Sequence, residues 1–397
     1  MSVLLYADDI VFLSESDNGL QCMLNYLNDW CKTWQLDINE AKSNIVHFRK
    51  PTWPRTEFEF TFERKLLNIV TEYKYLGLYL NEFMDFGKSV AYLAASGTRA
   101  LGAIRNKLYN IKNVRYAVYS KLFQTGVTPI LDYCSAIWGF KLHKCIQDVQ
   151  NKAMRYYMGV HKFCPLAAME GDMGWNSSLV RSQLNMISFW NHLVTLENNR
   201  LPKQILLYNI SNRNRCNNWF TELNKLIQIP LNEDLSLIDI NQCKIEFTNN
   251  QLISWNNNRY QKIKLRYYNL FKCDIKPEPY LLTNLTKSQR SIYAQFRSGI
   301  LPLAIETGRF SNIALNNRTC IVCNSEAIED EYHFLCICPK YEKERKLLYL
   351  RVTEIYSEFT NLDNIDRFMM LNTGEYQKYT AIYVYNAFNL RKKLMYQ

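Results

Sequence analysis

Ser2-Val3-Leu4-Leu5-Tyr6-Ala7-Asp8-Asp9-Ile10-Val11-Phe12-Leu13 decides how the rest of the chain is read. Two apolar runs flank an acidic turn, the pattern of a tight β-hairpin with paired carboxylates at its tip. Carboxylate oxygens side by side on a rigid hairpin suit a hard divalent cation, Mg²⁺ or Mn²⁺, of the kind nucleotidyl transfer uses in pairs. An ordinary acidic turn is the plainer reading, and the symmetric apolar flanks weigh against it. Outward from the hairpin, Leu20, Met23, Leu24, Leu27, Trp30, Cys31 and Trp34 recur at helical spacing, with Ser16 or Asp17 as cap. Strand-like pieces come next, at 44–48, 58–62 and 73–80.

From Lys88 the period changes. Val90, Leu93, Gly97, Leu101, Ile104, Leu108 and Ile111 predict one long helix, and further helices are expected over 116–133, 146–157, 178–196, 260–271 and 286–297. Gly171 to Gly174 reads as a turn. The Asn-rich stretch 209–218, and a second around 256–258, read as linkers. The chain is therefore expected to be α+β, a β-hairpin and helix segment over the first 83 residues followed by mostly helical segments. With 397 residues there is room for two or three domains.

The net charge of +11 is unevenly placed. Between Arg99 and Lys162 stand eleven basic residues, among them Arg99, Arg105, Lys107, Lys112 and Arg115, against only Asp132 and Asp148. Such a field favours a polyanion, with a phosphate backbone the usual partner, although a solvated basic face has the same composition. No apolar run reaches the ~18 residues of a membrane span, so no membrane partner is expected. No secretory or other targeting signal is visible, and the expected place is intracellular, nucleus or cytoplasm, with reduced thiols.

Twelve cysteines and five histidines are present, and Cys320, Cys323, His333, Cys336 and Cys338 fall within 19 residues. Three thiolates and an imidazole suit a closed structural Zn²⁺ site. Either Cys336 or Cys338 is workable as the last ligand.

Tyr6-Ala7-Asp8-Asp9 resembles the signature of reverse transcriptases, and the motifs after it keep that family's order. Leu36, Asn39 and Lys42-Ser43 resemble its next motif, and Tyr75-Leu76-Gly77 looks like its primer-gripping hairpin. Ile130 to Gly139, with Ile146-Gln147 and Gln150 to Ala153, is similar to the thumb of non-LTR (LINE-type) retrotransposon enzymes. Cys320-x-x-Cys323…His333…Cys338 resembles their zinc-knuckle segment, and the resemblance favours Cys338, which precedes a proline. It implies a palm end over 1–83, a helical thumb over 84–165, a helical connector over 166–300 and a zinc-bearing region over 301–397. It further implies Asp8 and Asp9 as catalytic Mg²⁺ ligands, Lys42 near the departing pyrophosphate, and Tyr6, Leu76 and Gly77 at the nucleic acid. Arg99, Lys107, Lys112 and Arg115 would track phosphates of an RNA template or a DNA primer and target. The family's third carboxylate and its fingers lie upstream of the acidic hairpin, so the expectation is an RNA-directed DNA polymerase fragment that needs its N-terminal half and is inactive alone. A nucleic-acid-binding zinc module without catalysis, or a relic with no selected role, are the alternatives.

Overall fold

The computed structural model describes residues 2–111, 113–215, 217–227, 235–323 and 325–395. The chain forms two compact units, 1–92 and 93–397.

The first unit is built from hairpins around one helix. β1 (Ser2–Tyr6) and β2 (Asp9–Leu13) pair antiparallel, with Tyr6 opposite Asp9 and Ser2 opposite Leu13. α1 (Asp17–Trp34) starts at Ser16, whose hydroxyl accepts from Gly19 N, and ends where Gln35 turns left-handed. Its apolar stripe supplies Leu24 to a core with Phe60, Phe62 and Leu67, against which Phe12, Leu20 and Leu27 pack. β3 (Asn44–Ile45) runs parallel to β6 (Asn68–Ile69), and β4 (Thr61–Phe62) pairs with β5 (Lys65–Leu66). Strands expected over 44–48 and 58–62 are thus much shorter than the pattern suggested. Side chains hold the neighbouring backbone: Gln21 of α1 both donates to Thr61 O and accepts from Thr61 N (2.9 Å each), and His47 Nδ1 accepts from Thr56 N at 3.0 Å. The alternation Phe58, Phe60, Phe62 serves packing on α1 rather than a ladder. β7 (Glu72–Tyr75) and β8 (Leu78–Asn81) close the unit as a second two-stranded hairpin.

α2 (Gly87–Leu108) matches the long helix expected, and among its described residues the second unit has one small hairpin and is otherwise built of helices. The single helix expected over 116–133 is instead α3 (Tyr116–Gly126), α4 (Thr128–Leu131) and α5 (Ser135–Trp138). Pro129 has no amide hydrogen to continue α3, and Cys134 sits at φ 53°, which ends the next turn. α6 (Lys144–Met158), α7 (Leu166–Met173) and α8 (Ser178–Thr195) follow. Gly171 to Met173 are therefore helical, and the turn is confined to Gly174, a left-handed C-cap at φ 63°.

Neither Asn-rich stretch divides the chain. Asn218 joins α9 (Leu201–Ser211) to α10 (Trp219–Ile227), donating to Asn209 O at 2.9 Å and accepting from Thr221 N at 3.0 Å. Asn256 lies within α11 (Ile240–Tyr260), which runs on because Trp255 is buried and donates to Ala167 O at 2.7 Å while the Arg259 guanidinium stacks on its ring. The helix expected over 260–271 reduces to a 3₁₀ turn at Ile263–Leu265 and the short α12 (Tyr268–Phe271). α13 (Pro279–Leu282) precedes α14 (Lys287–Arg297), whose start carries a full capping box between Thr286 and Gln289. α15 (Ala304–Phe310), β9 (Thr319–Cys320), β10 (Ser325–Ile328), α16 (Glu342–Thr353), α17 (Asn364–Leu371) and α18 (Gln377–Met395) complete the unit.

Where α7, α12, α13, α14 and the start of α18 meet, the core is polar. The Arg297 side chain is fully buried, bonded by Nε and Nη2 to the Asp172 carboxylate (3.0 and 3.1 Å), by Nη2 to Glu278 (2.8 Å) and by Nη1 to Asn372 O (2.8 Å). The rings of Phe271, Tyr280, Tyr268 and Tyr293 surround it with centroids 4.7 to 5.7 Å away. Tyr268 and Tyr280 also donate to Asp172, and Lys272 pairs with Glu278.

Candidate functional site

At the tip of the first hairpin only Ala7 and Asp8 separate the paired strands, and Ala7 takes a left-handed φ of 51°. An L residue there is uncommon, and sites of this kind cluster where function dictates the backbone. Asp8 and Asp9 are both exposed. Their carboxylates offer oxygen ligands to Mg²⁺, but that ion needs about six oxygens around it. Among the described residues no third carboxylate, thiol or imidazole joins them in a cluster able to hold a metal. Behind the tip, Phe12 packs on the core of the first unit, but most of the hairpin's apolar side chains do not. β1 and β2 form a sheet by themselves, and Val3, Leu5, Tyr6, Ile10 and Leu13 point into solvent.

Lys42 is exposed at the end of a 3₁₀ turn, Glu40–Lys42, that Asn39 caps by accepting from Lys42 N at 3.2 Å. Tyr73 of β7 donates its hydroxyl to Lys42 O at 3.2 Å, tying this turn to the second hairpin. Leu76 and Gly77 form that hairpin's turn with φ of 43° and 88°, the paired positive values of a type I′ connection. A leucine, 39% exposed, at the first of those positions is held out at the tip.

The ligand atoms of Cys320, Cys323, His333 and Cys338 all lie within 4.8 Å of one another. A tetrahedron with Zn–S bonds of about 2.3 Å has edges of about 3.8 Å, so a small inward movement closes the cage. β9 and β10 pair around the first two cysteines, with Ser325 opposite Cys320. His333 opens a π-helical turn, His333–Ile337, and its Nε2 faces Cys323 Sγ at 3.5 Å. Bonded to Cys338 and facing His333, the Cys320 thiol is held well below the usual thiol range, and the Cys338 thiol beside it is pushed up. The soft donor set, its partial burial and its spacing fit Zn²⁺. Cys336 faces elsewhere, and burial pushes its thiol up to about 12.

Outer contacts hold this cluster firmly. Glu329, fully buried, is bonded by both oxygens to Arg391 of α18 (2.6 and 2.7 Å) and accepts from Ala304 N at 2.7 Å. Asp330 caps His333 N at 2.8 Å and accepts from the Tyr267 hydroxyl, and Glu331 pairs with Arg266. Arg345 of α16 donates to Leu335 O and Cys338 O, and Tyr383 of α18 donates to Phe334 O.

On the basic helices, Arg99, Lys107 and Arg115 are exposed, and none has a carboxylate partner among the described residues; Lys112 lies outside the described residues. The two acids of this stretch are occupied: Asp148 pairs with Lys144 and Asp132 with Arg181 of α8. Much of the thumb-like motif faces inward, while Tyr133 and Ile137 are exposed. Arg181 bonds Asp132 and Gln150, Trp138 donates to Tyr133 O at 3.0 Å, and Gln147 accepts from Ser178 N and Oγ at 2.9 Å. Tyr119, Trp138 and Tyr157 are core residues. Arg181, the partner that makes sense of Asp132, carried no signal in the sequence.

Residues 1–80 match the family of reverse transcriptases, RNA-dependent DNA polymerases. That segment is similar to reverse transcriptases. The chain is also similar to the probable RNA-directed DNA polymerase from transposon BS of Drosophila melanogaster, 29% identical over 159 residues, 38% of this chain and 18% of that protein. It is 30% identical over 184 residues to the RNA-directed DNA polymerase from mobile element jockey of Drosophila funebris, 42% of this chain and 19% of that one. A transposon-derived protein of Caenorhabditis elegans is 28% identical over 137 residues, 34% of this chain and 48% of that protein. The chain thus spans less than a fifth of each of the two Drosophila polymerases. No solved structure matches it. The resemblance to reverse transcriptases of non-LTR elements, first drawn from the acidic hairpin and the motifs after it, is borne out. Among the described residues no helix is long and apolar enough to cross a membrane.

Proposed function

We propose that this chain is the C-terminal half of the RNA-directed DNA polymerase of a non-LTR retrotransposon, and that it does not polymerise by itself. Asp8 and Asp9 are its share of the catalytic metal site, with Lys42 placed for the departing pyrophosphate and Tyr6, Leu76 and Gly77 for the primer end. The observation that carries this reading is the acidic pair at the hairpin tip, inside the segment similar to reverse transcriptases, with no third carboxylate beside it among the described residues. Two-metal phosphoryl transfer needs ligands that fix both ions and a surface that aligns the nucleotide, and much of its rate comes from that positioning. The bare apolar faces of β1 and β2 support the same view, since they offer a seat for further palm structure. The basic helices over 84–165 take the phosphates of RNA template and DNA primer, and one Zn²⁺ held by Cys320, Cys323, His333 and Cys338 is structural.

Primer extension tests this directly, with purified chain, an RNA template, a DNA primer, Mg²⁺ or Mn²⁺ and all four nucleotides. The expected result is no product alone and product once an upstream fingers-and-palm segment is fused in frame. Product from the chain alone that vanishes in Asp8→Asn and Asp9→Asn would overturn the reading.

A further inference from the structure

α14 brings a lysine from far along the chain onto the basic helices. Its seat on α6 is fixed by buried contacts. Arg290 Nε donates to Tyr157 O at 3.0 Å with the guanidinium 4.1 Å from that ring's centroid, and Ser291 Oγ donates to Gly159 O at 2.6 Å. Gly159 has a φ of 71°, and a Cβ there would come within 2.7 Å of the Ser291 Cβ, so only glycine allows this approach. One turn before Arg290, Lys287 is exposed with its Nζ 5.2 Å from the Tyr156 ring centroid. The Arg105 guanidinium of α2 lies 4.7 Å from the same centroid, and the Tyr156 hydroxyl donates to Arg105 O at 3.5 Å. Lys152, one turn earlier on α6, is exposed on the same face. Among the described residues none of these three cations has a carboxylate partner.

We infer that Arg105, Lys152 and Lys287, gathered around Tyr156, form one station for the phosphate backbone of a nucleic-acid strand, so that α14 extends the track of the basic helices. This rests on the proposal that those helices bind nucleic acid. Cations held against one ring repel each other, and an anion that bridges them removes that repulsion; a phosphate diester can accept from an Arg fork and an ammonium together. The ring's role is to hold the cations by its quadrupole rather than to stack a base, so the station takes strands without regard to sequence. Of its three helices, α6 and α14 are locked together by the contacts of Arg290 and Ser291, which spares binding part of the cost of assembling the station.

The test measures binding of the full chain to a fluorescein-labelled 20-nucleotide single-stranded RNA of mixed sequence over a range of KCl. Each lost phosphate contact on a single strand lowers the slope of log affinity against log salt by about 0.7. Lys287→Gln and Arg105→Gln should each flatten the slope by about that much, and the double variant by about twice as much. Lys378→Gln is the control, an exposed lysine against the Tyr379 ring (5.6 Å) on α18. It should leave the slope unchanged. Tyr156→Leu should weaken binding although no charge is removed, with thermal melts showing that each variant is folded. If wild-type protein shows no salt-dependent binding, the underlying nucleic-acid reading fails. If it binds but Lys287→Gln and Arg105→Gln keep the wild-type slope, this station alone is refuted. Displacement of the RNA by a glutamate-rich peptide at lower concentration than unlabelled RNA would also refute it, by making the ligand an acidic protein.

Discussion

Replacing Arg297 by methionine isolates the value of the buried charge network. The side chain is fully buried and makes three bonds to carboxylates, two of them to Asp172, which is itself 1% exposed. In Arg297→Met, Glu278 keeps Lys272 as a counter-ion, whereas Asp172 keeps only neutral donors, the hydroxyls of Tyr268 and Tyr280 at 3.0 and 2.9 Å. Removing one partner of a buried pair costs roughly 3–5 kcal/mol because the other charge stays buried. With two donors retained, the lower end applies, about 3 kcal/mol. At ~2–4 °C per kcal/mol for a unit of this size, the midpoint of its unfolding should fall by ~6–12 °C. Differential scanning calorimetry can follow the second unit's transition while that of residues 1–92 serves as an internal reference. Arg297→Met combined with Asp172→Asn removes the stranded charge and should recover about half of the loss. A loss below about 1 kcal/mol, or a double variant no more stable than the single one, would refute the reasoning.

Elemental analysis should find one Zn²⁺ per chain, retained in Cys336→Ser and lost in Cys320→Ser and Cys338→Ser; equal metal in all three variants would remove the site. Glu170 should make stability depend on pH. Burial pushes its carboxyl up to about 7, and its oxygens have no hydrogen-bond partner among the described residues. The folded state therefore holds a proton that the unfolded chain has already released, so this contribution is present below about pH 4.5 and is lost as pH rises towards 7, on the order of 3 kcal/mol in all. Glu170→Gln should flatten urea-melt stability across that window and raise it above pH 7, and an unchanged pH profile would contradict the assignment.

How much of this could be read from the sequence depends on the range of each interaction. The acidic hairpin, the capped α1, the long α2 and the Leu76-Gly77 turn are set by neighbours a few residues apart, and their patterns were legible. The Cys/His cluster was legible too, because its members are of scarce residue types at characteristic spacing, and geometry, like the resemblance, brings Cys338 rather than Cys336 to the other three. Asn256 to Asn258 misled because asparagine only weakly disfavours helix, and Trp255 anchored on Ala167 outweighs it. Arg181 with Asp132, and Arg297 with Asp172, join positions 49 and 125 residues apart. No local period records such a pair. Lys287 in its turn looked like any solvated lysine until α14 was seated beside Tyr156.

The link between Arg391 and Glu329 gives the last helix a genetic meaning. A premature stop codon within α18, ahead of Arg391, would delete the cation bonded to a fully buried carboxylate in the turn between Cys323 and His333. Such a nonsense allele would spare every proposed catalytic, nucleic-acid-contacting and metal-ligating side chain, yet it should behave as a folding mutation of the knuckle. Alleles of this kind would complement nothing that a Cys338 substitution fails to complement, and the two should fall into one phenotypic class.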